Sequence, residues 1–208
     1  FRKVKFCLAI AILIAVHYAP AGASPITFSF SGTLVFVDPS LSGTFSPGQT
    51  ISGTYTFEST TPDSDPGNPN FGGYPGANTN LSFVAGSYTG SFGGPAFNAT
   101  NVGLSFPGPF DVYQVNIPLA GPNVGSATPF QFALDIRDLD QTALASDALP
   151  LTPPDLALFE TRAITLIFDD NSFVVASLDS LQQVPEPSAL FLLVVGIAAG
   201  VRSLRRRF

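Results

Sequence analysis

Apolar and polar residues alternate along most of the middle of the chain. In the segment from Ile26 to Val37, Phe28 and Phe30 are separated by a single polar residue, and TISGTYTFE, from Thr50 to Glu58, repeats the pattern. A period of two places alternate side chains on opposite faces of an extended strand, so both segments are predicted to be half-buried strands. Seven further segments share this character: Leu81 to Ala85, Ser87 to Phe92, Val102 to Phe106, Val112 to Ile117, Phe130 to Ile136, Ala163 to Phe168 and Phe173 to Leu178.

Turn-forming residues separate these strands at short intervals. Proline, glycine, aspartate and asparagine favour tight turns, each through its own backbone chemistry. Many short strands punctuated in this way are typical of an all-β domain, so residues 24–180 are predicted to form an antiparallel β-sandwich, jelly-roll-like if the strands divide evenly, with a small barrel as the alternative. The turn signals stand at Asp38-Pro39, Ser46-Pro47-Gly48, Pro107-Gly108-Pro109 and Asp169-Asp170-Asn171.

Two segments of this region depart from the alternation. The stretch from Thr60 to Asn78 is so rich in proline, glycine and asparagine that it is predicted to be a long surface loop without regular structure. The stretch from Pro154 to Phe159 is predicted to form one helical turn.

The first 23 residues have the three parts of a signal peptide. Basic residues precede an apolar run from Phe6 to Val16, and Ala21-Gly22-Ala23 follows it. The Ala-x-Ala arrangement fits a signal-peptidase site, so cleavage is predicted after Ala23. A retained membrane anchor is the less favoured alternative, because the apolar run is too short to span a bilayer comfortably.

The segment from 181 to 208 differs in composition from the middle of the chain. A linker containing Pro185, Glu186 and Pro187 precedes thirteen uncharged, mostly apolar residues, 189–201. As a helix these residues extend about 20 Å, which is shorter than the ~30 Å hydrocarbon layer. The arginines that follow can reach the headgroups and favour the cytoplasmic side, so 189–201 is predicted to be a transmembrane helix that holds the chain transiently in the inner membrane. These arginines are Arg202, Arg205, Arg206 and Arg207. A core helix or a disordered tail is the less favoured alternative.

Within the predicted transmembrane helix, Gly196 and Gly200 form a G-x-x-x-G pattern. Small residues at this spacing let a second helix approach closely. The pattern therefore marks a candidate packing face, with a small-residue composition typical of membrane segments as the alternative.

The three-part tail resembles the C-terminal sorting signal of PEP-CTERM proteins. The Pro-Glu-Pro triplet, the apolar run and the arginine cluster stand in the order of that signal. The resemblance implies that Pro185, Glu186 and Pro187 are the motif recognised by an exosortase, a membrane-embedded processing enzyme of Gram-negative bacteria that make exopolysaccharide. It implies that the four arginines are the stop-transfer cluster. It also implies export across the inner membrane and delivery to the cell surface or the extracellular biofilm matrix.

Charge is divided sharply between the ends and the middle of the chain. Residues 24–187 contain two arginines and all fifteen acidic residues, which gives a net charge of −13. Because nucleic-acid binding depends on basic side chains that neutralise phosphates, no nucleic-acid partner is expected.

The sequence offers little of the usual catalytic chemistry after signal cleavage. Cys7 and His17 are the only cysteine and the only histidine of the chain, and both precede the predicted cleavage site. The mature protein would then have no thiolate nucleophile, no imidazole base and no Cys or His metal ligand. It is therefore predicted not to be an enzyme.

Three groups of acidic and amide side chains could supply the oxygen ligands that Ca²⁺ prefers. None completes an EF-hand loop, so solvated turn residues are the favoured interpretation and no cofactor is expected. If one calcium site exists, Asp138 and Asp140 are its favoured ligands. The three groups are Asp63, Asp65 and Asn68; Asp135, Asp138 and Asp140; and Asp169, Asp170 and Asn171.

The predicted function is an exported, non-enzymatic surface or matrix protein that an exosortase sorts and processes. One alternative is a carbohydrate-binding module of the exopolysaccharide matrix, although the chain has no tryptophan to stack on sugars. The other alternative is a glycoside-active enzyme, because paired carboxylates can support glycoside hydrolysis. No pair of carboxylates stands out in the sequence.

Overall fold

The computed structural model describes residues 25–96, 98–104 and 110–185. Within these ranges the chain forms ten strands, which pair antiparallel, and two short 3₁₀ turns at Pro39–Leu41 and Leu156–Leu158. The strands are β1 (Pro25–Val37), β2 (Thr50–Glu58), β3 (Phe71–Pro75), β4 (Asn78–Ala85), β5 (Tyr88–Phe92), β6 (Ala99–Gly103), β7 (Asp111–Ala120), β8 (Pro129–Asp138), β9 (Thr161–Phe168) and β10 (Phe173–Gln183).

Eight of these strands form one closed sheet in the order β7-β5-β4-β2-β1-β10-β9-β8, and β8 pairs again with β7. β6 and β3 continue from β7 as a two-stranded extension. This branching is possible because one edge of β7 is shared between two partners. Residues 112–116 of that edge pair with β6, while Leu119 and Ala120 pair with Phe92 and Ser91 of β5.

Aromatic side chains fill the interior of the barrel. The Phe28 ring packs edge-on against those of Tyr55 and Phe57, with ring centroids 5.7 and 5.3 Å apart. Edge-to-face pairs add to the free energy that ring burial itself supplies. The largest fully buried rings are those of Tyr55, Tyr113, Phe28, Phe45, Phe57, Phe132 and Phe168. The two-residue period of the sequence therefore produces a packed core.

A glycine makes room for one of these rings. Gly90 on β5 pairs with Phe83 on β4. A Cβ atom added at Gly90 would overlap the Phe83 ring, so a residue without a side chain is needed here for the ring to lie flat against β5.

The prediction of an all-β body with antiparallel strands is confirmed. The predicted two-sheet sandwich is wrong, because β5 and β8 both pair with β7 and the sheet closes on itself. The observed closed sheet corresponds to the alternative that the strand pattern left open.

Three local predictions can be compared directly with the structure. The stretch from Thr60 to Asn78 is not wholly a loop, because Phe71–Pro75 forms β3 on the edge of β6. Strand β6 begins at Ala99, three residues before the predicted start at Val102. The helical turn predicted within Pro154 to Phe159 is confirmed as the 3₁₀ turn Leu156–Leu158.

Candidate functional site

Both ends of the described chain leave the barrel at the same place. The register of the β1–β10 pair sets Phe28 opposite Gln183. One residue further along, the Val184 amide donates to the Thr27 carbonyl at 2.9 Å. We call this corner, formed by residues 25–28 and 182–185, the exit end.

Pro185 follows the last hydrogen bond of the β1–β10 pair and is exposed. Because successive residues of an antiparallel strand face opposite edges, Pro185 turns away from β1, and Val184 makes the last described hydrogen bond of the β1–β10 ladder. The first residue of the predicted sorting motif therefore stands where the folded barrel ends. The exit end thus presents the start of this motif to solvent.

The other predicted processing residues lie outside the described residues. Glu186 and Pro187 of the motif, Gly196 and Gly200 of the predicted packing face, and the residues flanking signal cleavage, Ala21 and Ala23, belong to this group. The predicted stop-transfer arginines Arg202, Arg205, Arg206 and Arg207 belong to it as well. Within residues 25–96, 98–104 and 110–185, no helix has the length and apolar character needed to cross a membrane.

An open groove lies beside the exit end. One side is the last part of β10, from Asp179 to Gln183, and the other is the segment 153–156, which contains Pro153 and Pro154. The groove has a volume of about 510 Å³. We call it the edge groove and call residues 153–156 the proline wall. The sequence pattern did not predict this groove, because its two sides are 23 or more residues apart in the chain.

Asp138 organises the start of the long segment between β8 and β9. Its Oδ1 accepts the Asp140 amide at 2.8 Å, and its Oδ2 accepts the amides of Thr142 and Ala143 at 2.7 and 2.8 Å. Burial alone would raise the pKa of Asp138, but the hydrogen bonds to its carboxylate outweigh burial and lower the pKa. The neighbouring Asp111 lies opposite Asp138 in the β7–β8 register and accepts the Leu144 amide at 3.0 Å.

Three other acidic residues of the predicted groups hold local backbone by accepting amide N–H groups. Asp63 accepts the Gly73 amide at 2.9 Å, Asp169 accepts the Thr128 amide at 2.8 Å, and Asp170 accepts the Ser172 amide at 2.9 Å. Among the described residues, no group of three or more His, Cys, Asp or Glu side chains could hold a metal ion. Calcium binding by Asp138 and Asp140 stays a prediction.

A row of polar side chains crosses the outer face of three strands. Asn101 on β6 donates to Gln114 on β7 at 3.2 Å, and Gln114 donates to Asp135 on β8 at 3.1 Å. Asp135 also pairs with Arg137 at 2.6 Å, and the Arg137 guanidinium lies 5.2 Å from the Phe110 ring centroid. The hydrogen bond that the Arg137 guanidinium donates to the Asp135 carboxylate raises the pKa of Arg137. We call Asn101, Gln114, Asp135 and Arg137 the polar row.

Comparison with known protein families identifies the segment that begins at the exit end. The PEP-CTERM protein-sorting motif matches residues 183–207. A search of curated proteins found no match. The matched range begins at Gln183, the last residue of β10, and it includes all three residues of the Pro-Glu-Pro triplet and the four arginines. The resemblance stated from the sequence is confirmed, and the motif implies export, processing by an exosortase and a location at the cell surface or outside the cell.

Proposed function

We propose that this PEP-CTERM protein is a non-enzymatic surface or matrix protein. Its folded barrel is exported, held briefly at the inner membrane by the C-terminal tail and then processed by an exosortase. The observation that carries the proposal is the sorting motif at residues 183–207, which begins at the last residue of β10. In this scheme the tail directs sorting and processing, and the barrel is the part that remains as the mature surface or matrix protein.

The geometry of the exit end supports this scheme. The predicted signal cleavage after Ala23 lies two residues before β1, and the motif begins where β10 ends. The basic residues of the predicted signal peptide and the arginines of the tail both favour the cytoplasmic side, which puts the barrel between them on the outer side. A precursor held at both ends would therefore touch the membrane through one corner of the barrel.

The charge of the barrel supports its release after processing. Residues 24–187 carry a net charge of −13. Anionic headgroups repel such a body, so the tail supplies the attraction that holds it at the membrane. Removing the tail would leave a barrel with little affinity for the lipid surface.

Glu186 provides the direct test. The wild-type protein and Glu186→Ala are expressed in an exosortase-containing bacterium, and the mature C-terminus is identified by mass spectrometry. We expect a shortened C-terminus for the wild type and an intact tail for Glu186→Ala. Asp65→Ala, which alters an exposed carboxylate of the body, is the matched control and should be processed normally. A wild-type protein that keeps its full tail would refute the proposal.

The polar row favours a second candidate function, which is binding of exopolysaccharide. Amide, carboxylate and guanidinium groups offer several donors and acceptors for sugar hydroxyls, and the polar row joins four such side chains across β6, β7 and β8. A glycan array probed with the purified barrel tests this function. Binding that is lost in Gln114→Ala would support it, and an array without any signal would exclude it.

A further inference from the structure

The last part of β10 is an open sheet edge. Strand β9 pairs with β10 only from Phe173 to Ser177. The β1–β10 register shifts between Leu178 and Ser180, so Asp179 is the extra residue of a bulge, and its carboxylate accepts the Thr33 hydroxyl at 2.8 Å. From this bulge to Gln183, β10 pairs with β1 along one edge, and no described strand pairs with its other edge.

The backbone groups on this free edge can be assigned from the register. The Val184 amide donates to the Thr27 carbonyl, so Val184 faces β1. Successive residues of an antiparallel strand turn their N–H and C=O groups to opposite edges. Gln182 therefore also faces β1, whereas Leu181 and Gln183 turn their backbone donors and acceptors toward the edge groove.

Among the described residues, the proline wall lines this edge without pairing with it as a strand. Pro153 and Pro154 line the edge groove and have no N–H to donate to β10. The chain then turns away, because the Asp155 carboxylate accepts the Ala157 amide at 3.0 Å and caps the 3₁₀ turn Leu156–Leu158. The result is a strand edge that faces an open, shallow groove of about 510 Å³.

We infer that the edge groove accepts an extended segment of the exosortase, which pairs with Leu181 and Gln183 as an added strand. Recognition by strand addition uses a free edge for affinity and neighbouring side chains for specificity. The free edge is continuous with the sorting motif, since Gln183 belongs to both. The inference rests on the proposed function, because it assumes that an exosortase acts on this tail.

The position of the free edge favours the processing enzyme as the occupant. Leu181 and Gln183 lie within four residues of the Pro-Glu-Pro triplet, and Gln183 is itself the first residue of the sorting motif. An enzyme that binds the triplet is therefore held directly beside this edge.

Gln183 tests the predicted backbone contact. Gln183→Pro removes an N–H that faces the groove and makes no bond to β1, whereas Gln183→Ala keeps that N–H. In the full-length chain we expect Gln183→Pro to be processed about fivefold more slowly than Gln183→Ala. A fivefold lower rate is what the loss of one hydrogen bond to the exosortase should cause. The melting temperatures of the two barrels should agree. Equal processing rates with equal melting temperatures would overturn the inference.

Photo-crosslinking gives an answer that does not depend on the proline variant. A photo-crosslinking residue replaces Pro153 on the proline wall, and a matched variant carries it at Val84, an exposed position on β4. We expect position 153 to capture the exosortase and position 84 not to. If the wild-type tail is removed but position 153 captures no exosortase, the inference fails and the proposed function stands. If the wild-type tail is never removed, the proposed function itself fails.

Discussion

The hydroxyl groups of Tyr55 and Tyr113 lie 2.9 Å apart inside the barrel, where both side chains are fully buried. Tyr55 belongs to β2 and Tyr113 to β7, and these strands are not neighbours in the sheet. The hydrogen bond therefore ties two separate parts of the wall across the interior. Burial is the main cause that raises the pKa of both hydroxyls above the ordinary tyrosine value.

Removing one member of this pair should destabilise the barrel. Tyr113→Phe would leave the Tyr55 hydroxyl buried without its partner, which costs about 1–3 kcal/mol in the free energy of unfolding. Urea unfolding of the purified body measures the loss. The double variant Tyr55→Phe with Tyr113→Phe should cost less than the sum of the single substitutions, because it leaves no unpaired hydroxyl. Strict additivity would contradict a direct bond between the two hydroxyls.

The same burial predicts loss of stability at alkaline pH. In the unfolded chain tyrosines ionise near pH 10, whereas burial in the fold raises the pKa of Tyr88 to about 12 and those of Tyr55 and Tyr113 well above the ordinary value. Between these pKa values the unfolded state has lost protons that the folded state keeps. The stabilisation that comes from keeping these tyrosines protonated should therefore be fully present below about pH 10. The free energy of unfolding should fall as the pH rises further. Urea unfolding at increasing pH tests this sign, and a flat profile would contradict it.

Tyr88 presents the opposite situation to the Tyr55–Tyr113 pair. Its hydroxyl is buried and has no hydrogen-bond partner among the described residues. Tyr88→Phe removes a desolvated polar atom and should leave the free energy of unfolding unchanged or raise it. Tyr74→Phe is the matched control, because it loses a 2.9 Å bond to the Asp147 carbonyl and should cost about 1 kcal/mol. A large destabilisation by Tyr88→Phe would show that the Tyr88 hydroxyl does make a hydrogen bond in the folded protein.

The strands could be predicted from the sequence because alternation reports which side chains share a face. Phe28, Phe30 and Tyr55 are all buried, as the two-residue period requires. Alternation does not report which strands become neighbours. The closure of the sheet depends on two residue pairs between β5 and β7, Ser91 with Ala120 and Phe92 with Leu119, and no local pattern specifies them.

Tertiary pairing also overrides local composition. Phe71–Pro75 contains two glycines and a proline and has weak intrinsic strand preference, yet it forms β3 because β6 offers it an edge. The edge groove escaped prediction for the same reason, since the bulge at Asp179 and the proline wall are brought together only by folding. The sorting motif could be predicted because its signal is a short ordered string of residues that does not depend on the fold.

Calcium provides a test of the predicted Asp138 and Asp140 site. If these residues bind Ca²⁺, calcium should raise the melting temperature of the wild-type body, and Asp140→Asn should abolish the rise. Asp140 is the informative position, because the Asp138 oxygens also accept backbone amides that hold the loop. Calorimetric titration that gives no heat, together with an unchanged melting temperature, would end this prediction.

Asp138 itself should matter for stability whether or not calcium binds. Its carboxylate accepts the amides of Asp140, Thr142 and Ala143. Asp138→Asn removes the charge and presents an NH₂ group to donors, so the melting temperature at pH 7 should fall. The pKa of Asp138 lies below its ordinary value in the fold, so its contribution is present above the unfolded pKa of about 3.9 and is lost as the pH falls through the folded pKa. The melting temperatures of the wild type and Asp138→Asn should therefore converge in acid, and a difference that persists there would assign the effect to packing and not to the carboxylate charge.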